Sequence, residues 1–262
     1  MDDHGHIGEV SQNKFGTLMK IIVWNAASDI QVQFQDDHMA VVHTTYRNFQ
    51  KREVKNPYDK SVYGVGYVGE GMHKTRINGE HPASYLIWVT IIQRCCREEA
   101  KEKYPAYFGR CTVCEEWCNC QNFAAWYESN RYDVDGRLHI DKDILVPGNT
   151  MYAPEFCLLV PQRVNMHFMR CKSNKTGLPR RVRRTKTGYM AVYNTQKLGV
   201  FATIDQAVKA HREAWAEAIR ATVAEYQNIM PNHVYNAVMI ASERIKRKGL
   251  AALTKGFFGY ER

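Results

Sequence analysis

His139, Asp141 and Asp143 alternate along a stretch of strand character, and period-two pleating puts their side chains on one face. Asn165 follows on a predicted helix. A carboxylate from that strand, opposed by the amide oxygen of Asn165, supplies the oxygen donors that a hard cation such as Mg²⁺ or Mn²⁺ prefers. Such an ion stabilises the leaving oxygen of a phosphodiester while a neighbouring base activates water. Asp141, Asn165 and Asp143 are therefore the candidate metal ligands, and His139 is a candidate base on the same strand face. His167 is a further imidazole nearby in the chain.

A second constellation is made of thiols. Cys111-x-x-Cys114 has zinc-knuckle spacing, and Cys118 and Cys120 follow closely. A structural Zn²⁺ would need its second pair from Cys95, Cys157 or Cys171, because Cys118-x-Cys120 is tight. The competing reading is a set of reduced core thiols, since free cysteine packs as a small hydrophobe.

A third is cationic. Arg180, Arg181, Arg183, Arg184 and Lys186 crowd one strand and its turn, ahead of Tyr189-Met190-Ala191-Val192-Tyr193. Alternation lets part of that strand aim cations outward while Leu178 and Val182 pack inward. The crowding belongs to a wider asymmetry. Residues 166–262 carry a balance of +12 and residues 1–165 one of −3, and together they make the net +9 of the chain. A basic end on a near-neutral body is the electrostatic footprint of a protein that meets phosphate backbones.

The elements that must hold these groups follow from periodicity. Met19–Trp24, Ile30–Phe34 and Met39–His43 read as strands, with Asp36-Asp37 as a turn, and predict a small antiparallel sheet or barrel over residues 1–57. Glycine-rich Tyr58–His81 is a connector with a hairpin at Asn78-Gly79. A helix is expected over Ser84–Lys103, with Leu86, Val89, Ile92 and Cys96 on its apolar face and Pro105 as its stop, and another over Asn119–Ser129. A strand over Leu138–Val146, the turn Pro147-Gly148-Asn149, a strand over Leu158–Val160 and a helix from Pro161 toward Met169 make a ββα unit. Strands over Arg180–Arg184, Tyr189–Tyr193 and Lys197–Phe201 precede a helix capped by Thr203 or Asp205, and a last helix runs from His233 to Lys248 and ends at Gly249. The class is α+β, divided as 1–57, 58–171 and 172–262.

The stretch from Trp88 to Asn165 resembles the HNH endonucleases of bacteriophages, including homing-type enzymes. The likeness rests on Trp88…Arg94-Cys95, Val113-Cys114-Glu115-Glu116-Trp117, Phe123, Trp126 and Asp141-Lys142-Asp143…Gly148…Tyr152-x-Pro154-Glu155-x-Cys157…Asn165, over about 80 residues. It implies a ββα unit that enters the minor groove, with metal-ligand roles for Asp141 and Asn165. It makes the cysteines at 95, 114 and 157 packing residues. Where that family has its general-base histidine this chain has Lys142, and Phe156 stands at the position of the family's central Asn. A lysine serves as a base near neutral pH only if burial lowers its pKa strongly, so His139 is its substitute. Tyr189–Trp215 is similar to the ethylene-response-factor (Apetala-type) domain over about 45 residues, carried by Leu198-Gly199-x-Phe201-x-Thr203 and Ala207…Ala210. That likeness implies a three-stranded sheet in the DNA major groove, with Arg180, Arg181, Arg183, Arg184, Lys186 and Tyr189 as DNA contacts. Arg181 stands where related phage sequences often have glycine.

The opening MDDHGHIGEV is acidic and polar, unlike a secretory signal, and the longest apolar stretch, Tyr85–Ile92, is far short of the roughly 20 residues that cross a bilayer. A soluble, cytoplasmic protein with reduced thiols is expected, acting on double-stranded DNA as a metal-dependent nuclease. The rival expectation, favoured by Lys142 and Phe156, is a non-catalytic DNA-binding or phage–host interaction protein on the same scaffold. A protein partner for the N-terminal sheet is a third.

Overall fold

In a computed structural model, which describes residues 4–169, 177–179 and 181–247, the strand-forming stretches pair with their neighbours in sequence. β1 (Val10–Gln12), β2 (Leu18–Ala26), β3 (Asp29–Phe34) and β4 (Val41–Thr44) form an antiparallel meander in the order β1-β2-β3-β4. Alternation sends Met19, Ile21, Ile30, Val32 and Phe34 to one face, where all five are fully buried. Each contributes roughly 1.5–3 kcal/mol by leaving water. Phe49 of α1 (Tyr46–Gln50) closes this core, and the Thr45 side chain caps the helix. Asp36 makes the expected turn by accepting N–H bonds from His38 and Met39.

α2 (Ala83–Cys96) is shorter and turned differently from expectation. Its buried face is Ser84, Trp88, Ile91, Ile92 and Cys95, while Leu86 is half exposed. Trp88 decides the phase. Its ring is the largest apolar body on the helix, and its Nε1–H donates to the Trp117 carbonyl at 2.7 Å. After β5 (Thr112–Val113), Trp117 packs on Phe123 and Trp126 of α3 (Cys120–Asn130) at 5.0 and 4.7 Å between ring centres. The predicted hairpin is present: Ile77 pairs with Glu80 across Asn78 and Gly79, both at positive φ.

The chain divides into two compact units, 1–126 and 127–262. The second holds β6 (Leu138–Asp141), β7 (Met151–Tyr152), β8 (Leu158–Pro161) and α4 (Gln162–Phe168), followed by β9 (Val182–Arg184), β10 (Tyr189–Tyr193), β11 (Gln196–Phe201), α5 (Ile204–Ala224) and α6 (Asn232–Arg247). β6 and β8 are antiparallel, with His139 opposite Val160 and Asp141 opposite Leu158. The sheet β11-β10-β9 is antiparallel throughout. The first strand is shorter than expected, and Arg180, Cys171 and Gly249 lie outside the described residues. Gly188 permits the β9–β10 turn, because a Cβ there would stand 2.3 Å from the Phe201 carbonyl oxygen.

α5 is the spine of this unit. Thr203 and Gln206 form a reciprocal capping box at its start. Its 21 residues span about 30 Å at 1.5 Å each. The N-terminal half, through Ala207 and Val208, packs on Val182 and Ala191 of the three-stranded sheet. The C-terminal half, through Ala216, Ile219 and Val223, joins Leu158, Val160, Val164 and Phe168 of the ββα unit and Val234, Val238 and Ile245 of α6. One helix therefore carries both modules. The whole is α+β, and no described helix is long and apolar enough to cross a membrane.

Candidate active site and nucleic-acid interface

Asp141 ends β6 by turning the chain. Its Oδ1 accepts the backbone N–H groups of Asp143 and Ile144 at 2.7 and 2.8 Å, which is why the expected strand over Leu138–Val146 stops at residue 141. Burial strips water from the carboxyl and pushes its pKa up to about 6, against the lowering effect of those two N–H bonds.

Asn165 projects from α4 onto β6, where its Nδ2 donates to His139 Nδ1 at 3.3 Å. This is the contact that brings the helix to the strand face carrying His139 and Asp141. With the amide nitrogen against Nδ1, the ring carries its proton on Nε2 and the amide oxygen is turned away from the imidazole.

Lys142 and Asp143 are drawn into the fold. The Lys142 side chain is 5% exposed, and its ammonium donates to Asp143 Oδ2 at 2.9 Å and to the Asn149 carbonyl. Asn149 closes the loop from its own side, donating from Nδ2 to the Lys142 carbonyl at 3.0 Å. Lys142 therefore ties the 142–149 loop and does not face solvent as a base would. The other Asp143 oxygen, Oδ1, is buried with no hydrogen-bond partner.

His167, two residues beyond Asn165, points into the join between the ββα unit and the C-terminal sheet. Its Nδ1 lies 3.0 Å from the Tyr193 hydroxyl of β10, and its Nε2 lies 2.9 Å from the Thr222 hydroxyl of α5. Trp215 of α5 donates from Nε1 to the His167 carbonyl at 3.0 Å. Burial lowers the pKa of the ring. Nothing in the local sequence announced this clasp, because its members are separated by 26 to 55 positions.

Among the described residues no group of three His, Cys, Asp or Glu side chains is placed to hold a metal ion. Asp141 offers a carboxylate and Asn165 an amide, donor types that suit Mg²⁺ or Mn²⁺. Mg²⁺ keeps several of its waters and takes only one or two carboxylates from a protein. The Asp141 carboxyl is desolvated, and Asp143 Oδ1 is buried without a hydrogen bond. Of the cysteines, Cys111 is buried with its thiol donating to the Ala106 carbonyl at 3.8 Å, and the Cys118 thiol donates to the Cys114 carbonyl at 3.6 Å. Burial pushes the Cys120 thiol up to about 12 and also raises Cys118, so both are protonated at neutral pH.

The basic strand is laid out by the sheet register. Val182 lies opposite Ala191, and both are fully buried against α5. Arg183 therefore points to the opposite face, in one row with Met190 and Val200. Arg183, Arg184 and Lys186 are exposed. Tyr189 is partly buried and packs toward α5 with Phe201. Arg181 takes φ +65°, a left-handed backbone that favours glycine. Compared with protein-family models, with curated proteins and with solved structures, the chain matches none.

Proposed function

We propose that the chain binds double-stranded DNA through its C-terminal sheet and hydrolyses, or nicks, a phosphodiester at the ββα unit with a divalent cation, Mg²⁺ or Mn²⁺. What carries this reading is Asn165 of α4 lying against His139, two residues from Asp141 on the same strand. The likeness of Trp88–Asn165 to phage HNH enzymes and of Tyr189–Trp215 to the Apetala-type domain supports it. So does the basic strand, since phosphate contacts fix a protein's position on the duplex and base edges give it sequence preference.

In this reading Asp141 and Asn165 hold the cation. When bound, it would lower the pKa of an attacking water and neutralise charge on the phosphate. Asn165 also orients the His139 ring. Lys142 acts as a positioning residue, because its ammonium fixes the loop that follows Asp141. A DNA substrate sets the place of action in the cytoplasm, that of the bacterial host if the gene is a phage's.

A second reading is a non-catalytic DNA-binding protein on the same scaffold, with a protein partner at the N-terminal sheet as a further possibility of that class. It is favoured by one observation: the residue at the family's general-base position is buried and ion-paired. Supercoiled plasmid incubated with the protein and Mg²⁺ or Mn²⁺ separates the two. Nicked circles from the wild type and none from Asp141→Asn support the nuclease. Absence of nicking with every divalent metal, alongside salt-sensitive binding, supports the second reading.

A further inference from the structure

The face of the three-stranded sheet that turns away from α5 is mixed in character. Met190 sits at its centre, hydrogen-bond register places Val200 on one side and Arg183 on the other, and the row runs across all three strands. Their neighbours fix the orientation: Val182 and Ala191 are fully buried against α5 while Tyr189 and Phe201 pack around that core, so the alternate residues must face outward. Val200 is 50% exposed, next to the last residue of the edge strand β11.

The surroundings argue against a hydrophobic protein partner. From residue 177 to residue 204 there is no Asp or Glu and there are six Lys or Arg, so the stretch of chain that carries this apolar pair lends it a cationic field with no carboxylate of its own. That field is complementary to phosphate, and an apolar centre rimmed by cations matches the floor of the major groove, where thymine alone among the bases presents a C5 methyl group.

Building on the DNA-binding reading above, we infer that Met190 and Val200 are specificity residues that pack on thymine C5 methyl groups, with Arg183 beside them at a neighbouring base or phosphate. The methyl contact would give this sheet a preference that its arginines alone do not, because removal of a thymine methyl leaves every hydrogen-bonding group of the base unchanged.

The test uses the full chain. A duplex motif is first selected from a random library by binding, then resynthesised with uracil replacing each thymine in turn. The wild type is expected to lose about fourfold in affinity at one or two positions, the worth of a buried methyl group. Met190→Ala and Val200→Ala should bind the thymine duplex correspondingly less well and no longer distinguish uracil. Equal wild-type affinity for every uracil duplex, or a selection that enriches no motif, overturns the inference and leaves DNA binding standing. Failure of the wild type to bind any duplex overturns the DNA-binding reading together with the inference.

Discussion

The Nδ1 atom of His167 lies 3.0 Å from the hydroxyl of Tyr193, which joins the helix of the ββα unit to the central strand of the basic sheet. Thr222 holds the other ring nitrogen, and Trp215 holds the carbonyl of the same residue. The clasp lies beside α5, which already carries the sheet on one half and the ββα unit on the other. In the proposed reading, a DNA-reading surface and a scission centre built this way would keep a fixed separation. Substitution of His167 by Ala, which removes both ring bonds, is expected to cost about 1–3 kcal/mol at about 1 kcal/mol per bond plus the partners left unpaired. Urea unfolding would measure it.

The same ring gives a pH dependence. Burial lowers its pKa below the ordinary histidine value, with Arg163 adding to the effect, so the unfolded chain takes up the proton first as pH falls. His167 therefore contributes stability that is fully present above the unfolded pKa, near 6.5, and is lost as pH falls toward the folded value. Melting temperatures between pH 8 and pH 5 should fall more steeply for the wild type than for His167→Gln. Parallel slopes would rule out His167 as the source.

Asp141 has two separable duties. Its Oδ1 caps the chain reversal at Asp143 and Ile144, and its charge is the candidate cation ligand. Asp141→Asn keeps an oxygen for the cap and removes the charge, so it should fold as well as the wild type without metal while losing any gain from Mn²⁺. Asp141→Ala loses both and should cost about 1–2 kcal/mol even without metal, in the range of a lost side-chain cap. Thermal melts of the two variants with and without Mn²⁺ check the distinction.

Lys142 is predicted to be structural. Lys142→Met leaves the Asp143 carboxylate buried without its counter-charge and should destabilise by about 3–5 kcal/mol, as removal of one partner of a buried pair does. The double change with Asp143→Leu removes the stranded charge and should recover part of that loss. Calorimetry or urea unfolding would read both.

On the basic strand, Arg183 and Arg184 are exposed, and no ion pair joins either to a carboxylate among the described residues. Neutralising each should lower the slope of log affinity against log salt by about 0.9 if it meets a phosphate. Fluorescence anisotropy across a salt series measures that slope. An unchanged slope would remove that arginine from the interface.

Much of this fold was open to reading from periodicity. Ile30, Val32 and Phe34 alternate as they pack, the hairpin turns at Asn78-Gly79, and Thr203 caps α5 as its residue type suggests. The order of the ββα unit also followed from local patterns. What escaped depends on distant partners. The phase of α2 is set by Trp88 reaching Trp117, 29 positions away. Lys142 stands in sequence at the family's general-base position, and only the folded chain shows its ammonium held by Asp143 and Asn149. Nothing local to α5 reveals that two different modules share the helix. Arg181 takes a left-handed backbone that its residue type does not announce.

The most direct measurement is Mn²⁺ binding to the full protein in the presence of duplex DNA, followed by electron paramagnetic resonance. The wild type should hold one ion that Mg²⁺ displaces, and Asp141→Asn or Asn165→Ala should each lose it while still binding the duplex. Equal Mn²⁺ binding by all three proteins, or none by the wild type, would contradict a cation centre between β6 and α4.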